Sequence, residues 1–149
     1  MRRTEIEDLS RKVNALLKLY VQVHNGIYSR PWWHIFKPIP FGTYEVDVSA
    51  IEAELKHCER MAVVLRDGAI RSELQHLTVL HEYVVALLKA VSLLRRIVIA
   101  LKAKSDGKPY QLKEYNADCA AYQTAEKAYV LLGNGLNQSW KAFVAARPR

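Results

Sequence analysis

The stretch ELQHLTVLHEYVVALLKAVSLLRRIVIAL, residues Glu73–Leu101, decides the fold. Leu77, Leu80, Val84, Leu87, Val91, Leu94, Val98 and Leu101 recur at alternating steps of three and four. That is the spacing of a helical seam pressed on a partner helix. Leu74, Val85, Leu88 and Ile99 form a second row and widen the stripe beyond what one partner covers. A helix apolar on nearly every face belongs in the middle of a bundle, so the other segments must surround it. His81, Glu82, Lys89, Arg95 and Arg96 interrupt the run, and each is costly at bilayer depth. The helix is therefore assigned to a protein core.

Immediately upstream, Asp67-Gly68 predicts a helix stop and Ser72-Glu-Leu-Gln75 a fresh capped start. One continuous helix over 49–104 is the alternative, because a single glycine costs only about 1 kcal/mol. A hairpin is the reading adopted, since two apolar helices joined end to end need a second chain to cover them. The preceding helix is predicted from the capping box Ser49-Ala-Ile-Glu52, with Ile51, Leu55, Cys58, Ala62 and Leu65 on its inner face. A further capping box, Thr4-Glu-Ile-Glu7, opens helix 1. Its stripe is Ile6, Leu9, Val13, Leu16, Tyr20, Val23 and Ile27, and Pro31 blocks its continuation.

Residues 30–48 read as one long loop, with Pro31, Pro38 and Pro40 set among Trp32, Trp33, Ile35, Phe36, Ile39, Phe41 and Tyr44. So many aromatics must be ordered against something, either the open end of the bundle or a partner. Downstream, Ser105-Asp-Gly-Lys-Pro109 ends the central helix. The last helix carries Tyr115, Tyr122 and Tyr129 at seven-residue intervals, continued by Leu136 and Phe143. Gly133-Asn-Gly135 is expected to kink it. The expected architecture is one all-α domain, 1–149: an up-down-up-down four-helix bundle with helices over about 4–28, 49–66, 69–104 and 109–146.

The chain has 149 residues, half of them hydrophobic, and a formal charge of +7. That length suits a single core, and the charge favours anionic partners. Cys58 and Cys119 read as small buried hydrophobes in a reducing compartment. With no secretory leader at the N-terminus, a cytoplasmic location is expected.

Four candidate sites follow from the residues. Glu54-Leu-Lys-His57 and Glu73-Leu-Gln-His76 are both Glu-x-x-His, the motif that ferritin-like di-metal bundles use twice. At 1.5 Å per residue the two glutamates differ in height by about 12 Å. At the histidine level helix 1 offers Val13 and Asn14, and helix 4 offers Leu136 and Asn137. With no carboxylate there, a polar layer or plain surface histidines are expected, and no metal or other cofactor.

Arg71-Ser-Glu-Leu-Gln-His76 resembles the short motif of HEPN-type helical ribonucleases, although Ser72 stands where that family more often has asparagine. The resemblance implies Arg71 and His76 acting across a dimer interface on RNA phosphodiesters. At the loop end, Trp32, Trp33, Phe36 and Phe41 are expected near Arg30, Lys37, Lys102, Lys104, Lys108 and Lys113. Aromatics interleaved with cations suit partner recognition or single-stranded nucleic acid. Last, Tyr115, Tyr122 and Tyr129 are expected to form a contact stripe for a partner protein or a second copy. The sequence favours an accessory protein acting by protein–protein binding, with a basic nucleic-acid-binding module as the alternative. An enzyme is less favoured, because phosphate-loop, Cys-x-x-Cys and nucleophile-elbow patterns are missing.

Overall fold

A computed structural model describes residues 2–29 and 38–146. It contains four helices, α1 (Arg2–Tyr28), α2 (Phe41–Arg66), α3 (Arg71–Ser105) and α4 (Leu112–Ala145). They form an all-α four-helix bundle with no strand among the described residues. The α2–α3 connection is the expected hairpin. Gly68, at φ 73°, takes the left-handed turn that a side chain would resist. The cap of α3 lies two residues earlier than Ser72: Ile70 N–H donates to Glu73 Oε1 at 3.1 Å.

The central helix buries Leu77, Leu80, Val84, Leu87, Val91, Leu94 and Val98, as its spacing requires. Its neighbours are α2, α4 and α1. The second row is only partly covered, however: Leu88 is half-buried against the core, but Leu74 and Val85 are each 43% exposed and Ile99 is 37% exposed. Three neighbours leave one side of α3 in solvent, where His81 pairs with Glu59 and Arg95 with Glu52.

Two boundaries differ from the sequence reading. Helix α1 begins at Arg2, whose guanidinium donates to the carbonyls of Leu65 and Asp67 and so caps the end of α2. Helix α2 begins at Phe41, not Ser49. Pro40 tolerates the first-turn position and accepts from Tyr44 N–H at 3.1 Å, while Ser49 accepts from Arg95 Nε at 3.0 Å. Phe41, Tyr44, Val48 and Ile51 extend the apolar spacing of α2 backwards, with Val48 fully buried. Helix α4 runs without a break through Gly133 and Gly135, neither of which has positive φ. Two glycines weaken a helix by about 1 kcal/mol each, too little to break one packed along α3.

One seam of the bundle is open. No Cα of α1 lies within 8 Å of a Cα of α4. Packed helices are ordinarily about 8–10 Å apart at their axes, and bulky side chains set the upper end. Here the side chains that meet across the gap are Tyr20, Tyr122, His76 and Phe143, with Arg3 at the end.

Candidate functional site in the crevice between α1 and α4

The crevice follows from residue choice on two helices. Its α1 wall is the stripe Ser10, Val13, Asn14, Leu17 and Tyr20, where polar and apolar positions mix. Its α4 wall is Tyr122, Tyr129, Gly133, Leu136, Asn137 and Trp140, with α3 as the floor. Tyrosines cross it at mid-height. Tyr20 and Tyr122 meet hydroxyl to hydroxyl at 2.5 Å. The Tyr129 ring stands edge-on to Tyr20 and Tyr83 at 5.9 and 6.1 Å between centroids. Burial is the main cause that pushes the Tyr20 and Tyr122 phenols above their ordinary range, so both stay protonated as donors.

This bridge divides the crevice into two chambers. The outer one, about 480 Å³, is lined by His24, Tyr28, Tyr115, Cys119, Tyr122 and Glu126. His24 Nδ1 lies 2.7 Å from the Tyr122 hydroxyl and 3.5 Å from Glu126 Oε2. Burial raises the Glu126 carboxyl, and His24 partly offsets that.

The inner chamber, about 460 Å³, lies between α1, α3 and α4. Its size matches small-molecule sites, typically about 300–1,000 Å³. Val13, Leu17, Leu80, Leu136 and Trp140 line it, with Ser10, Asn14, His76, Tyr83 and Asn137 as polar members. Arg11 stands at the mouth, its side chain 63% exposed.

His76 is fixed from both sides. Its Nε2 lies 2.8 Å from Ser10 Oγ and its Nδ1 2.9 Å from Ser139 Oγ. Its ring stacks on Phe143, 5.2 Å between centroids. Burial lowers its pKa to about 4, so the imidazole is neutral at pH 7. Each serine hydroxyl also lies within donor reach of its own helix, Ser10 Oγ 2.9 Å from Ile6 O and Ser139 Oγ 3.0 Å from Leu136 O. A neutral imidazole carries one N–H, so one serine donates to the bare nitrogen and gives up its carbonyl. A serine within reach of a histidine is the beginning of a nucleophile pair. A base held near 4, with a hydroxyl where an orienting carboxylate would stand, is poorly matched to proton abstraction at neutral pH.

The sequence-derived sites are distributed as follows. His57 is exposed and His76 buried, so the two do not converge. Glu54 pairs with Lys12, and Glu73 caps α3. No group of three metal-ligating side chains exists among the described residues. Arg71 is exposed while His76 is sealed by two serines, so the ribonuclease-like pair is not presented together. The level expected for His76, with Val13, Asn14, Leu136 and Asn137 around it, is realised in the inner chamber.

Tyr122 and Tyr129 are buried in the core rather than turned to a partner, because α4 rotates its tyrosine stripe towards α1 and α3. Tyr115 is half-buried at the outer chamber. Phe41 is half-buried against the core. Lys102 pairs with Glu45 at 3.1 Å, and Lys104, Lys108 and Lys113 are exposed. Trp32, Trp33, Phe36, Arg30 and Lys37 lie outside the described residues. Arg11, Tyr83 and Trp140 were missed as members of this layer. Their only sequence signal is polarity interrupting an apolar stripe at the same height on three helices.

No helix among the described residues is long and apolar enough to cross a membrane. Comparison with protein-family models, with curated proteins and with solved structures gives no match.

Proposed function

We propose that this protein acts by binding rather than by bond-making, as a small cytoplasmic accessory protein whose ligand enters the crevice between α1 and α4. The observation that supports this reading is the open seam itself. Elsewhere α3 and its neighbours pack backbone close to backbone, whereas here side chains alone hold two helices apart around polar-lined chambers. Cavities that join an apolar lining to a few convergent polar groups are the usual form of a binding site. The two free thiols, Cys58 and Cys119, favour a reducing compartment. A protein partner inserting a side chain into the crevice fits the same reading. The tyrosine stripe does not support self-association, because it is turned inward.

The test is ligand-observed and amide NMR with an unbiased fragment library. Fragments that bind should shift the Trp140 indole N–H and the amides of Asn14, Tyr83 and Asn137, and compete with one another. Fragments that instead gather on the outer face of α3, or on residues 30–37, would remove the crevice from consideration.

A further inference from the structure

Two features of the inner chamber are not explained by packing. The first is Tyr83. The residue is 4% exposed and lines the chamber, yet its hydroxyl has no hydrogen-bond partner among the described residues. Nor is it one of the fully sealed side-chain atoms without a hydrogen bond, which among the described residues are Arg3 Nε and Arg66 Nε. The hydroxyl is thus buried by the fold but reachable from the cavity. A buried hydroxyl without a partner costs free energy that an acceptor on a ligand would recover. The second is Gly133. It is a mid-helix glycine with ordinary helical φ, and a Cβ built there meets nothing within 4 Å. Neither turn geometry nor close packing requires glycine at this position. Its effect is to leave the chamber empty on the α4 side.

The charge of the lining selects among ligands. Among the described residues no aspartate or glutamate lines the chamber, and Arg11 stands at its mouth. The Arg11 guanidinium reaches Glu7 and Asp8 only at 3.9 and 3.8 Å, both loose pairs, and its side chain remains mostly in solvent. The chain as a whole carries +7, which attracts anions. Leu17, Leu80, Leu136 and Trp140 make the body of the cavity apolar.

We propose that the inner chamber binds a small organic acid, with its carboxylate at Arg11, its apolar body between Leu80, Leu136 and Trp140, and an oxygen acceptor at the Tyr83 hydroxyl. The proposal rests on the reading of the crevice as a ligand site and adds the class of ligand. The carboxylate stays at the wet mouth, where its desolvation is small, and the buried end carries no charge. Guanidinium and carboxylate form a charge-assisted pair there.

The probes are 4-hydroxybenzoate, its methyl ester and 4-hydroxybenzylamine, titrated against the full chain with the Trp140 indole N–H as reporter. The acid should bind in saturable fashion and the amine should not. Losing one hydrogen bond weakens binding roughly tenfold, so Tyr83→Phe should weaken both acid and ester to that extent. Arg11→Gln should weaken the acid and leave the ester unchanged. Gly133→Leu fills the chamber while improving helix propensity, so it should abolish binding in a chain that remains folded. It also keeps the test valid if Tyr83→Phe fails to fold. If the ester or amine binds as tightly as the acid and Arg11→Gln changes nothing, the acid class falls and the crevice reading survives. If no probe moves the Trp140 signal at millimolar concentration while library fragments do, the proposal alone is overturned. If neither does, both are overturned.

Discussion

Tyr20 and Tyr122 join hydroxyl to hydroxyl at 2.5 Å across the α1–α4 seam, where no Cα of one helix comes within 8 Å of the other. The pair closes the middle of the seam and leaves a chamber on each side. Tyr122 holds a second bond, to His24 Nδ1 at 2.7 Å, whereas the further hydroxyl neighbour of Tyr20 is Tyr129. The two residues should therefore respond unequally to loss of the hydroxyl.

Tyr122→Phe leaves both Tyr20 and His24 short of a partner and should cost about 2 kcal/mol of stability. Tyr20→Phe should cost about 1 kcal/mol. The double variant should cost less than the sum, since each single change already breaks the shared bond. Urea unfolding of the four proteins measures this. Strict additivity would mean that the hydroxyls do not interact.

His76 makes stability depend on acid. Burial lowers its pKa from an ordinary 6.5 to about 4. Between those values the unfolded chain binds a proton that the folded chain does not, so stability rises with pH across the window. The contribution is complete above pH 6.5 and is lost as pH falls towards 4, by about 3 kcal/mol at most. His76→Gln should flatten the difference in unfolding free energy between pH 4.5 and pH 7. An unchanged slope would assign the acid sensitivity to other groups.

Two helical glycines should respond oppositely to alanine. A Cβ at Gly26 would lie 2.7 Å from Tyr44 Cζ and overlap its hydroxyl, because the hydroxyl end of the Tyr44 ring sits against α1 at that point. Gly26→Ala should destabilise despite better helix propensity, and Tyr44→Leu should relieve much of the loss. Gly133→Ala meets open space and should stabilise by about 0.5–1 kcal/mol. Thermal unfolding of both variants decides the matter; two shifts of the same sign would contradict the contact at Tyr44.

The first two turns of α2 are a prediction of their own. Val48 is fully buried within them, and Val48→Ala should cost about 1–3 kcal/mol, as removal of core methyls does. Amide exchange should show Glu45–Val48 protected together with the rest of α2. Fast exchange there with a cost below 0.5 kcal/mol would mean a helix that begins at Ser49.

Much of the fold was readable because apolar periodicity is local. The row Leu77 to Val98 is buried as its spacing requires, and Asp67-Gly68 turns the chain where glycine permits it. The same signal, continued backwards as Phe41, Tyr44, Val48 and Ile51, also marked the true start of α2. Prolines at 38 and 40 obscured it, although proline blocks a helix only beyond its first turn. The site was less readable. His76 stood out as a residue, but its serines lie 66 and 63 positions away, and nothing local pairs them.

The sequence by itself determined four helices, their antiparallel order and which stripe of each is apolar, because burial and helical repeat are properties of neighbouring residues. Only the tertiary structure decided how each stripe is rotated. It turned Tyr122 and Tyr129 inward, left Leu74 and Val85 half in solvent, and held α1 away from α4. The physical reason is volume: aromatic side chains from three helices must share one layer, and the sum of their sizes, which no single helix records, opens the seam. The central helix organises the bundle, and the gap it cannot fill is where a ligand fits.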